Sequence, residues 1–161
     1  MAVTVKEYWG TLSGTRADFQ KYIQAQDVAY RAFRDRTSES AMNTALVSIG
    51  LSIIGSFFKK SAPGIVAGAL YAVVGAIDAQ GKIANANILD NGKTVLAEIY
   101  DALNKDSSYQ RIEATVYFRE YTDSSGKVIR AVYGNSTTKG KNSGAYKINR
   151  IQLTNGNWLT S

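Results

Sequence analysis

Residues 40–58, SAMNTALVSIGLSIIGSFF, and residues 61–77, SAPGIVAGALYAVVGAI, are two uncharged, largely apolar runs separated by Lys59 and Lys60. At 1.5 Å per residue such runs reach about 26 to 28 Å as helices, just short of the roughly 30 Å hydrocarbon core of a bilayer. They form either the buried core of the domain or a hairpin able to enter a membrane. Four-residue spacing places Thr44, Ser48, Ser52 and Ser56 on one face of the first run, and Gly64, Gly68, Ala72 and Ala76 on one face of the second. Such small-residue stripes allow close helix contact, and Pro63 suits the first turn of a second helix. An antiparallel hairpin over about 41–58 and 62–80 is therefore expected, packed through Ser48, Ser52, Ser56, Gly64, Gly68 and Ala72. Leu46, Leu51, Ile54, Phe57, Phe58, Ile65, Leu70 and Val74 would then face outward, toward a protein shell or lipid.

The flanking sequence supplies a shell. Beyond Thr15, a plausible helix cap, Phe19, Tyr22, Ile23, Tyr30 and Phe33 recur at helical spacing and predict an amphipathic helix over 16–37. Val95, Leu96, Ile99, Tyr100 and Leu103 predict another over 92–105, with Asn91-Gly92 marking a break before it. From Tyr109 the period becomes two: Ile112, Ala114, Val116 and Phe118 alternate with polar neighbours. KVIRAVYG and AYKINRIQLT follow as strands, NSTTKGKNSG as a loop between them, and NWLTS as a last short strand. The expected fold is α+β: a helical region over 1–107 and a small basic antiparallel meander of three or four strands over 108–161, packed together as one unit.

Composition narrows function. The chain has 161 residues with no cysteine and no histidine, which removes thiolate and imidazole metal sites, disulfides and Ser-His-Asp chemistry. No phosphate-binding glycine motif and no calcium loop occurs, so no cofactor, metal or catalytic residue is expected. Residues 1–123 carry 13 basic and 13 acidic side chains, whereas Lys127, Arg130, Lys139, Lys141, Lys147 and Arg150 stand without any acid in 124–161, so that end holds the net charge of +6. Those six side chains are the expected contacts to an anionic membrane or cell-surface polymer. Basic and aromatic residues also interleave, as Arg119, Tyr121, Arg130, Tyr133, Tyr146, Lys147, Arg150 and Trp158, a mixture that single-stranded nucleic acid also accepts.

The segments over 16–105 resemble, in architecture, the channel-forming domains of colicin-type bacteriocins, in which amphipathic helices hide a hydrophobic hairpin until it inserts. The small-residue stripe is similar to those of holins and glycine-zipper toxins. This chain is shorter than a colicin channel, has fewer helices and adds a β segment. The resemblance implies a membrane-active, toxin-like protein that inserts its hairpin and oligomerises on insertion. The alternative is a non-enzymatic interaction module whose hairpin is core and whose basic sheet binds an anionic protein, polysaccharide or nucleic acid; a carboxylate-dependent enzyme is a distant third. MAVTVKEYWGTLSG lacks the basic and apolar regions of a secretory signal. Release by a non-classical route fits the first reading and a cytoplasmic location the second.

Overall fold

A computed structural model describes residues 3–60, 62–135 and 145–160. Thr15 begins the first helix by a reciprocal cap, accepting from the Asp18 amide while the Asp18 carboxylate accepts from its own N–H at 3.0 Å. The helix α1 (Arg16–Asp35) buries Phe19, Tyr22, Ala25, Gln26, Ala29, Ala32 and Phe33, one stripe at three- and four-residue spacing. Arg36, in the left-handed region at φ 54°, ends it.

The first apolar run, expected as a single helix over 41–58, is two helices: α2 (Glu39–Ile49) and α3 (Leu51–Phe58), bent by 109°. Gly50 makes the bend at φ 107° and ψ 150°, a conformation that an L side chain rarely adopts. The second run forms α4 (Pro63–Gly75), with Pro63 in its first turn as expected. A Cβ on Gly64 would sit 3.8 Å from Asn43 Oδ1 and one on Gly68 3.5 Å from Glu39 Oε2, so α4 runs antiparallel to α2. Leu46, Ile54, Phe57, Phe58, Leu70 and Val74 point into the core. Each such burial contributes roughly 1.5 to 3 kcal/mol.

Helix α5 (Ala79–Leu103) is 25 residues long and starts well before the expected 92–105, because it runs straight through Asn91-Gly92. Gly92 is there for space. A Cβ would lie 2.1 Å from the Val132 carbonyl oxygen and 2.4 Å from Gln26 Nε2. Antiparallel to α1, α5 is tied to it by Lys93 to Asp27 at 3.0 Å and by Gln20 Nε2 to the Tyr100 hydroxyl at 2.9 Å.

The sheet draws strands from both ends of the described chain. Residues 1–14, given no element by the sequence pattern, contribute β1 (Thr4–Gly14), which pairs along its whole length with β2 (Tyr109–Thr122), from Thr4 opposite Thr122 to Gly14 opposite Ile112. β3 (Val128–Val132) and β4 (Tyr146–Leu153) do not pair with each other as a meander would require. Both lie antiparallel on the other edge of β2, β3 against 118–122 and β4 against 109–116. β5 (Trp158–Thr160) pairs with β4. The expected loop NSTTKGKNSG lies, from Ser136 onward, outside the described residues.

Val132 is where sheet and helices join. Its N–H donates to Gln26 Oε1 at 2.9 Å, while Gln26 Nε2 donates to the Val132 and Leu89 carbonyls at 2.8 and 2.9 Å. Replacing Gln26 by leucine would leave these buried backbone groups short of partners. Gln26→Leu is expected to lose about 3 kcal/mol in urea unfolding. Gln20→Leu, at an exposed bond, should change stability by less than about 0.5 kcal/mol.

Candidate binding face of the sheet

Along β2 the even-numbered positions Ile112, Ala114, Val116 and Phe118 are buried, joined by Leu12 of β1. The odd-numbered positions form the opposite face. There Trp9 is 54 % exposed and packs on Tyr117 with ring centroids 4.7 Å apart, and Tyr133 meets Tyr117 edge-on at 5.5 Å. Further along, Glu113 receives Arg150 at 3.1 Å, and the Arg150 guanidinium lies over the Trp158 ring at 4.0 Å. Thr115 and Asn149 bond each other between these two aromatic stations. The chain's two tryptophans thus stand on one sheet face, separated along the strands by roughly 20 Å at 3.3 Å per residue.

The face is not strongly basic. Arg119 is held by Glu7 at 2.6 Å, and Arg150 by Glu113. Lys147 is exposed, as is Lys127 in the turn between β2 and β3, while Lys139 and Lys141 lie outside the described residues. Arg130, expected as a surface contact, is 5 % exposed and faces inward. Its Nε donates to the Phe57 carbonyl at 2.8 Å, its Nη2 to the Ser56 carbonyl at 3.0 Å, and its guanidinium covers the Phe118 ring at 3.6 Å. The partial negative charge of the α3 C-terminus satisfies this cation. Arg130 is therefore a buried cap and not part of an anion-binding surface.

At the far end of the face the helices close over it. Tyr121 is buried against Phe33, and its hydroxyl donates to Asn85 Oδ1 at 2.6 Å, an oxygen that also accepts from Arg119 Nε. Burial raises the Tyr121 phenol well above its ordinary pKa, against the smaller opposing pull of Arg119. Asn85, Tyr121 and Arg119 form a wall that stops the open face at one end.

The expected hairpin residues divide. Leu46, Ile54, Phe57, Phe58, Leu70 and Val74 are core, whereas Leu51 and Ile65 are 65 % and 53 % exposed. Of the small stripe, Ser48, Ser52, Ser56 and Gly64 are exposed and Gly68 and Ala72 half-buried. The greasy face is thus turned in and the small-residue face largely out, the inverse of the expected arrangement. Branched and aromatic side chains gain more from leaving water than serines and glycines do.

Trp9 and Tyr117 were not singled out from sequence. Strand β1 mixes polar and apolar side chains on both faces, so only its register against β2 brings Trp9 onto Tyr117. Among the described residues, no group of three or more acidic side chains is placed to hold a metal ion.

Arg130→Met should lower stability by about 3 kcal/mol, because it strips two charge-assisted bonds from the end of α3. Lys147→Gln should leave stability within about 0.5 kcal/mol of the parent. Urea titrations of both variants separate a buried cap from a surface charge.

No family model matches the chain, and no curated protein or solved structure shows significant similarity to it.

Proposed function

We propose that the protein is a non-enzymatic binding protein that holds a hydroxyl-rich, weakly acidic surface polymer against the open face of its sheet. The observation that carries this reading is the placement of Trp9 on Tyr117 and Trp158 on Arg150 across one face with Thr115 and Asn149 between them. Aromatic rings accept the C–H faces of sugars, and hydroxyl and amide side chains accept and donate to sugar hydroxyls. Charge favours such a polymer over nucleic acid. Arg119 and Arg150 are each matched by a glutamate, which leaves Lys147 and Arg111, the latter opposite Gln152, as the cations to meet an occasional carboxylate rather than a phosphate at every unit. Tryptophan fluorescence titrated with neutral and uronic-acid oligosaccharides should show saturable binding, weakened about tenfold in Trp9→Ala and in Trp158→Ala. Tighter binding of a single-stranded oligonucleotide, with a steep salt dependence, would count against the assignment.

A second reading, a bacteriocin-like protein that inserts its apolar helices into an anionic membrane, has its own supporting observation. Among the described residues no single helix is long and apolar enough to cross a membrane, but α2 and α3 together meet that length and composition across their bend, and Val47 and Leu51 stand exposed on either side of Gly50. Insertion would have to expose the core faces of α3 and α4. On the polymer-binding reading, dye-loaded vesicles stay sealed with or without anionic lipid. Release that requires anionic lipid and disappears in Leu51→Asp, a substitution at an exposed position, would move the assignment to the membrane.

A further inference from the structure

Where the end of α1 meets the start of α5, a cavity of about 460 Å³ opens beside three cations, Arg34, Arg36 and Lys82. Its inner wall is apolar: Phe33 and Ala86 are buried core side chains, and Ile83 stands 65 % exposed at the margin. Among the described residues no carboxylate lines it. Of the neighbouring acids, Asp35 pairs with Arg31 and with Arg34 itself, at 3.4 Å, which leaves Arg36 and Lys82 without a carboxylate among these residues, and Asp78 turns back to accept from the Gly81 amide at 2.7 Å.

The three cations differ in what already holds them. Arg34 donates to the Tyr30 hydroxyl at 3.2 Å, and Lys82 donates to the Ile77 carbonyl. Arg36, carried off the helix axis by its left-handed backbone, has no hydrogen bond or ion pair among the described residues. Helix stability accounts for Arg34, which complements the negative end of α1, but not for Lys82, which stands near the N-terminal end of α5 where a cation is disfavoured. Arg36 and Lys82 therefore bring positive charge beyond what the fold uses, directly beside an exposed apolar wall.

A ligand that satisfies both halves carries an anionic head and an apolar tail. A bare anion leaves Ile83 in water, and a neutral tail leaves Arg36 unpaired. We infer that the α1–α5 cavity binds an anionic amphiphile, an alkyl chain ending in a phosphate or carboxylate, with the head on Arg36 and Lys82 and the tail along Ile83 and Ala86. Its volume lies within the usual range for small-molecule sites. This site is separate from the open sheet face and stands or falls independently of the polymer proposed there.

The test uses octyl phosphate, inorganic phosphate and octyl glucoside, each followed by chemical-shift changes at the Ile83 and Ala86 methyl groups and by calorimetry. Octyl phosphate should bind, with inorganic phosphate and octyl glucoside each weaker by about tenfold or more. Arg36→Ala and Ile83→Ser, both at exposed positions, should each reduce octyl phosphate affinity by about tenfold and leave the circular dichroism spectrum unchanged. Sedimentation with vesicles containing anionic phospholipid distinguishes the source of the head group. Pelleting that is lost in Arg36→Ala assigns it to a bilayer lipid, and binding of monomeric octyl phosphate without pelleting assigns it to a free amphiphile. Equal affinity for inorganic phosphate and octyl phosphate, tail binding without the anion, or no response to any probe overturns the inference.

Discussion

A single side-chain amide, that of Gln26, meets a requirement that would otherwise leave the fold open. β3 is a short strand whose outer edge faces away from β2, and an unpaired edge in the interior strands backbone groups without water. Glutamine offers one acceptor and two donors in a plane, and Gln26 uses all three, on the N–H and C=O of Val132 and the carbonyl of Leu89. Helix α1 thereby acts as the next strand for one residue of β3. The arrangement works only because α5 can come within contact distance at Gly92, and the amide of Gly134 then adds a bond to the Ile88 carbonyl at 3.3 Å. Three elements distant in sequence are held in one place by these few bonds.

How much of this was legible beforehand follows from what each feature depends on. The stripe of α1, its Thr15 cap, the C-terminal half of α5 and the alternation of β2 are local patterns, and they stand where the sequence placed them. The break at Gly50 and the continuity through Gly92 were not legible, because a glycine in a run does not say whether it serves torsion or proximity. Gly55 sits unremarkably inside α3, five residues from a glycine that turns the chain by 109°. β1 escaped notice because it carries Val5 and Trp9 on its open face and Lys6 and Gly10 on the other, so no alternation of polarity survives. The aromatic face is a property of register, and register is not written in either strand alone.

Charge shows the same separation between inventory and placement. The net charge of +6 suggests a strongly basic surface. Yet Arg130 is spent on the end of α3, and Arg16 lies across the end of α5, donating to the Leu103 carbonyl at 2.6 Å and the Tyr109 carbonyl at 2.6 Å. Each closes a helix terminus that lacks a basic residue in its own last turn. Guanidinium suits the task because its fork reaches two carbonyls at once and stays charged at any ordinary pH.

The pairing of β1 with β2 joins residues more than a hundred positions apart, from Thr4 to Thr122, and this sets an order on the making of the molecule. On a ribosome the apolar helices α2 to α4 are complete at Gly75, but the strand that carries Arg130 and the backbone partner of Gln26 begins roughly 50 residues later, at Val128. At about 5 to 20 residues per second that interval is some 3 to 10 seconds. Throughout it the nascent helices have α1, already made, to pack on, while the apolar surface that the later strands are meant to cover stays open to whatever stands at the exit of the ribosome.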